Sequence, residues 1–265
     1  MALWTPSNLS GVHIWNNAES ITGLSDGGSV SSWPDDSGNG NTADQATSGQ
    51  QPTWEDAELN SLPVVRFDGT NDNLSYGDVD DLDVGTGDFF LAFVIEPSAI
   101  GNNMTIFSKN SAAAGQLFRV QTAGKLQLYV AGTGSFALGT TVLSAGTAYV
   151  TIAERTSGTA QIWLNGTSEG TDSNSNSVSN ANPCILGGQS SGTTNTWQGD
   201  IAEVVAGGSS ISTDDRQKLE GYLAWRYGLE GSLPVSHPYK SAAPTTGAVR
   251  SLFGGNQLFG QGLIR

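Results

Sequence analysis

TAYVTIAERTSGTAQIWLNG, residues 147–166, decides the fold class. It holds two short β-favouring runs, Thr147 to Ala153 and Ala160 to Leu164, and the second ends in Asn165-Gly166. Val, Ile, Thr, Tyr and Trp suit a half-buried pleated surface. Asn-Gly accepts positive φ at both central positions of a tight turn and is the strongest two-residue hairpin signal. The stretch therefore reads as antiparallel strands in meander pairing.

Outward from it the same pattern recurs, with runs at Pro63 to Phe67, Phe89 to Ile95, Thr105 to Ser108, Leu117 to Gln121 and Lys125 to Val130, each bounded by Gly, Asn, Asp or Ser. Thr122-Ala123-Gly124 joins the last two as a further hairpin. The chain has 265 residues, 35 of them Gly and only 14% charged, a composition suited to many short strands linked by turns. This length gives ample material for one large β-sandwich. One helix is expected, from about Ser212 to Gly228. Ser212 with Asp215 three residues on makes a capping-box-like start, and Gly228 suits a left-handed stop. Leu219, Tyr222, Leu223 and Tyr227 mark its apolar face, with Arg216 and Glu220 expected on the wet side.

Eleven basic against twenty-five acidic side chains give a formal charge of −14, which repels phosphate backbones and anionic membranes. Direct nucleic-acid and membrane partners are thus excluded, while divalent cations, basic proteins and neutral sugars remain. Cys184 is the single cysteine, so no intrachain disulfide forms, and it reads as a small buried apolar residue. The N-terminus, MALWTPSNLSG, shows no signal-peptide pattern, and no apolar run approaches membrane-spanning length. The last residues, 241–265, read as a linker followed by an extended tail, in which Leu252, Phe253, Leu258 and Phe259 form two greasy dipeptides unable to build their own core. They are expected to dock onto a partner.

Three stretches carry a resemblance: SGVHIWNNAESI with GGSVSSWPDDSGNGNTADQ, LPVVRFDGTNDNL, and GDIAEVVAGGSSISTDDRQKLEGYLAWRYGLEGSLPVSHPYK. Together with the 147–166 hairpin and the following ILGGQ, they resemble concanavalin A-like, laminin-G-like jelly-roll proteins over residues 1–240. The resemblance implies an all-β, two-sheet antiparallel jelly-roll sandwich with one helix on its C-terminal side. The helix-bearing stretch looks most like versions met in bacteriophage structural proteins and in bacterial surface proteins.

Catalytic signatures are sparse. Glycoside hydrolases on this kind of fold place Glu-x-Asp-x-Glu on one strand so that the acid and the nucleophile flank one bond. None of the nine glutamates has Asp two residues later. The two histidines, His13 and His237, have no partners patterned for a triad or a metal pair. The sequence is read as non-enzymatic.

Oxygen-rich loops leave cation and sugar sites open. SWPDDSGNGN, residues 32–41, fits the first half of a calcium loop, with Asp35, Ser37 and Asn39 at positions one, three and five, but Ala46 stands where the bidentate Glu belongs. Its Asp and Asn side chains equally suit a self-bonded turn anchored by Trp33. Laminin-G-like relatives often hold calcium at the sandwich rim, which would place an ion at Asp68, Asn71 and Asp72; Asp78, Asp80, Asp81, Asp83 and Asp88 form another acidic run. For a lectin-like site, Trp33, Trp54 and Trp197 border loops and, with Asp36 and Asn39, offer ring faces and hydroxyl partners.

The leading expectation is a phage virion protein, a capsid decoration or an appendage, assembled in the host cytoplasm. It would display the jelly roll and attach through its termini to other virion proteins, as a homo-oligomer on the particle. The alternative is a carbohydrate-binding module that contacts glycans, and a glycoside hydrolase ranks third.

Overall fold

The computed structural model describes residues 2–110, 114–130, 136–189 and 192–247. Among these the strands are β1 (Val12–Asn17), β2 (Gly28–Ser29), β3 (Ser32–Trp33), β4 (Ala43–Asp44), β5 (Thr53–Leu59), β6 (Leu62–Asp68), β7 (Leu74–Gly77), β8 (Phe89–Pro97), β9 (Met104–Asn110), β10 (Gly115–Val120), β11 (Lys125–Val130), β12 (Phe136–Val142), β13 (Tyr149–Thr156), β14 (Thr159–Leu164), β15 (Thr167–Ser173), β16 (Cys184–Leu186) and β17 (Gln198–Gly207), followed by the helix α1 (Thr213–Arg226). They form two antiparallel sheets packed face to face. The helix-side sheet runs β15-β14-β13-β8-β17-β6-β5-β2, with β1 also on β17, and the open sheet runs β12-β11-β10-β9-β16-β7-β4-β3.

The 147–166 hairpin forms as its sequence dictates. Thr151 pairs with Leu164, and Ser157-Gly158 turns with φ of 51° and 74°. Asn165-Gly166 makes the next turn with φ of 48° and 76°, the type I′ geometry that matches strand twist.

Strand β8, FFLAFVIEP, is apolar on both faces because both faces are covered. Phe89, Leu91, Phe93 and Ile95 point into the core between the sheets; Phe90, Ala92 and Val94 point outward under Leu219, Leu223 and Ala224 of α1 and Tyr227 at its end. The helix starts where Ser212 Oγ accepts the Asp215 amide, 3.1 Å away, and stops at Gly228 with φ 69°. Gly221, in mid-helix, is needed because a Cβ there would lie 2.6 Å from Tyr239 Cβ.

The segment through His237 and Tyr239, which packs on α1, overturns one expectation. Arg216 and Glu220 lie not on the wet side but buried beneath it: Arg216 sits 3.4 Å over the Trp163 ring, and His237 Nε2 lies 3.0 Å from Glu220 Oε2. The chain stays on the body past Lys240, with the Thr246 amide donating to Ala2 O at 2.9 Å. Leu252, Phe253, Leu258 and Phe259 lie outside the described residues.

Glu203 closes the seam between β17 and α1. Fully buried, it accepts from Trp15 Nε1 at 2.7 Å and Tyr227 Oη at 3.0 Å, with Arg226 Nε at 3.3 Å. Burial pushes its carboxyl up from 4.5 to about 7, against the pull of Arg226. A carboxyl raised on folding binds its proton more tightly in the folded chain, so this group's contribution falls as pH climbs from about 4.5 to about 7 and stays low above that. The rise corresponds to roughly 3 kcal/mol. Thermal denaturation from pH 4.5 to 8 should show that loss and Glu203→Gln should flatten it; a parallel profile in the variant would exclude Glu203 as its source.

Candidate functional site

The helix α1 covers part of the outer face of the helix-side sheet, and a polar cleft lies at the rim of the other sheet. Where β9 begins and β10 ends, the segments 101–103, 121–124 and 195–197 surround a cleft of about 400 Å³ lined by Gly69, Asn102, Asn103, Met104, Thr122, Asn195, Thr196 and Gln198. Its walls are braced by their own hydrogen bonds. Asn103 Oδ1 accepts the Thr122 amide at 3.2 Å, Asn195 Nδ2 donates to Gln189 Oε1 at 2.7 Å, and Thr196 Oγ1 donates to Gly69 O at 2.6 Å. The Thr105 amide donates to Asn195 O at 2.7 Å, tying the cleft loop to β9. Gly69, at φ 77°, leaves room for Gln198, whose Cβ a side chain would meet at 2.6 Å.

Asn102, Asn103, Asn195 and Gln198 bring four side-chain amides to the lining. An amide offers both donors and acceptors, which is what sugar hydroxyls need. Among the described residues that line it, none carries an ionisable side chain.

The expected sugar-binding residues are placed elsewhere. Trp33 and Trp197 are completely buried and present no ring face; Trp33 Nε1 donates inward to Asn17 O at 2.9 Å. Half-buried Trp54 donates to Ala18 O at 2.9 Å. Asp36 accepts from Asn17 Nδ2 and Ser20 Oγ, both at 2.5 Å, and Asn39 Nδ2 donates to Val12 O at 2.9 Å. The 32–41 stretch is a self-bonded turn: Asp35 accepts from the amides of Trp15, Ser37 and Asn41 at 3.0, 3.0 and 2.9 Å.

The candidate calcium residues are likewise engaged by the backbone. Asp68 Oδ1 accepts the Thr70 amide at 2.7 Å, Asp72 Oδ2 accepts the Asp68 amide at 2.9 Å, and Asn71 Nδ2 donates to Gly49 O at 2.9 Å. Burial pushes the Asp72 carboxyl up to about 6. The acidic run does bring Asp78, Asp80 and Asp83 within 4.8 Å of one another, a group that could hold a metal ion. The buried Lys109 ammonium already reaches it. It bonds to Asp78 and sits 3.2 Å from Asp83 Oδ1, 2.7 Å from Asn180 O and 3.1 Å from Asn182 O. Burial alone would lower this ammonium, but the two carboxylates outweigh it and hold it above its ordinary value.

Glu96 and Asp200 face each other across β8 and β17, yet Arg66 clamps Asp200 at 2.7 and 2.8 Å, and the space they line, with Glu58, is about 20 Å³. That volume admits a water, not a sugar ring.

A family profile described as the concanavalin A-like lectin/glucanases superfamily, of the laminin-G type, matches residues 68–215. The chain belongs to this superfamily. Its fold is similar to that of Trypanosoma rangeli sialidase in complex with sialic acid (TM-score 0.58, 11% identity), covering 83% of this chain and 34% of that one. Domain 4 of AbnA, a GH43 extracellular arabinanase from Geobacillus stearothermophilus, in complex with arabinotriose, is similar at TM-score 0.56 and 12% identity, covering 79% of this chain and 98% of that domain. The binding domain of botulinum neurotoxin DC, in complex with SialylT, is similar at TM-score 0.53 and 10% identity, covering 83% and 52%. This chain thus spans about a third of the sialidase's length. No curated protein matches. At these identities the likeness establishes the fold.

Sequence reasoning did not reach the rim cleft. Its amides sit in short loops, GNNMT and TTNTW, whose composition is that of ordinary turns. Their convergence depends on strands distant in sequence.

Proposed function

We propose that the protein is a carbohydrate-binding, lectin-like module that holds glycans at the rim cleft without cleaving them. The observation that carries this is the cleft itself, large enough for one or two sugar rings and lined by amides and hydroxyls with no ionisable group. Structural neighbours include a sialidase, an arabinanase domain and a toxin binding domain solved with sugars, which supports the reading by analogy of fold. A glycan array followed by calorimetry tests it. Asn103→Ala with Gln198→Ala should weaken the best ligand about tenfold or more, at ~0.5–1.5 kcal/mol per hydrogen bond, without hydrolysis products. An array with no ligand sinks the reading, and product release sinks its non-enzymatic part.

In the same proposal the Lys109 ammonium takes the charge role that a calcium ion would have at Asp78, Asp80 and Asp83. Glycan affinity and melting temperature should then be equal in EDTA and in calcium. A loss in EDTA would return calcium to that acidic group.

Display on a phage virion is a narrower version, supported by the sequence resemblance of the helix-bearing stretch. The module would then serve host contact. Mass spectrometry of purified particles decides it, and absence of the chain from them removes the virion setting.

A further inference from the structure

A second cavity, of about 350 Å³, lies where the N-terminal segment, α1 and the segment after Lys240 meet. Leu3 and Trp4 form one wall, and Tyr222, Trp225 and Arg226, spaced for one face of the helix, form another. Ala243 and Pro244 close the third. The two terminal segments run side by side here: the Trp4 amide donates to Pro244 O at 3.0 Å, Leu3 bridges antiparallel to Thr245, and the Thr246 amide donates to Ala2 O at 2.9 Å. The polar groups of the helix wall are already engaged. Trp225 Nε1 donates to Tyr239 O at 2.8 Å, and Arg226 pairs with Glu19 and with Glu203 at 3.3 Å. The rings of Trp4 and Tyr222 meet edge to face with centroids 6.1 Å apart. What remains is largely hydrocarbon and ring surface, and Leu3 is 67% exposed beside it. Such a cavity takes up apolar side chains.

The chain itself carries candidates at a short distance. It turns at Thr246-Gly247, where Gly247 has φ 86°, three residues past Pro244 in the cavity wall. Leu252-Phe253, the first of the two apolar dipeptides in 248–265, begins five residues beyond Gly247. Five extended residues reach ~17 Å, whereas Pro244 is at most ~11 Å back along the chain. The tether is long enough. Charge favours the return as well: of the chain's eleven basic side chains Arg250 and Arg265 fall in 248–265, and none of its twenty-five acidic ones does.

We infer that Leu252 and Phe253 occupy the cavity between Leu3 and Trp225 of their own molecule. This is independent of the carbohydrate reading, because the cavity shares no residue with the rim cleft. A short flexible tether holds the dipeptide at an effective concentration on the order of millimolar, above that of a second copy in dilute solution. Leu258-Phe259 would close a longer loop at a greater entropic cost. The apolar tail thus finds its docking surface on the chain that carries it.

Alkylation of a reporter thiol in the full chain tests the inference. Buried Cys184, its thiol pushed up by burial, is the unreactive background. A cysteine placed by Leu3→Cys should react about tenfold more slowly than in a chain that also carries Leu252→Ser and Phe253→Ser, since labelling follows the fraction of time the cavity stands open. That protection should be the same at every protein concentration and should survive Leu258→Ser with Phe259→Ser. Equal labelling with and without the Leu252-Phe253 substitutions overturns the inference. Protection that fades on dilution gives the cavity to the tail of a second copy, and protection lost with Leu258 and Phe259 gives it to the other dipeptide; either overturns the assignment made here. As a second measurement, Leu3→Cys with Phe253→Cys should oxidise to a crosslinked monomer, faster than Val142→Cys with Phe253→Cys, whose first position is exposed on β12 of the other sheet. Covalent dimers as the main product, or equal rates for the two pairs, would overturn it.

Discussion

A sheet that is apolar on both faces has to be covered twice, and this requirement organises the protein. Strands β8 and β17 place Phe90, Ala92, Val94, Ala202 and Val205 on the side away from the sandwich core. Left in water, each large side chain among them would forfeit about 1.5–3 kcal/mol. The helix α1, Trp4 and Leu233 provide the cover. The other sheet places Thr105, Ser108, Arg119 and Gln127 between the apolar positions of β9, β10 and β11, and of these only Arg119 is not buried.

Acidity in this chain serves architecture before it serves any ligand. Asp35 gathers three backbone amides into the 32–41 turn, and Asp72 with Asp68 closes the turn after β6. Glu169 accepts from the amides and hydroxyls of Thr140 and Thr141, joining β15 to β12 where the two sheets meet at one edge. Burial would raise its carboxyl, but four donors hold it low. Asp78, Asp83, Asp200, Glu203 and Glu220 face cations. A carboxylate engaged in this way is committed to holding the fold.

The fold was legible where local chemistry and burial agree. Asn165-Gly166, the runs around it and the capped helix each carry a short-range signal, and all three appear in the structure. The site was not legible, because its residues share no local pattern. Trp33 and Trp197 sit beside loop-like sequence, yet a tryptophan next to a turn is as well suited to plug a sandwich end as to meet a sugar, and here both plug it. Arg216 and Glu220 obey helical spacing for a solvent-facing pair. They were misplaced because a segment about twenty residues downstream, ending in His237 and Tyr239, crosses over them. Periodicity reports which residues share a face, not what later covers it.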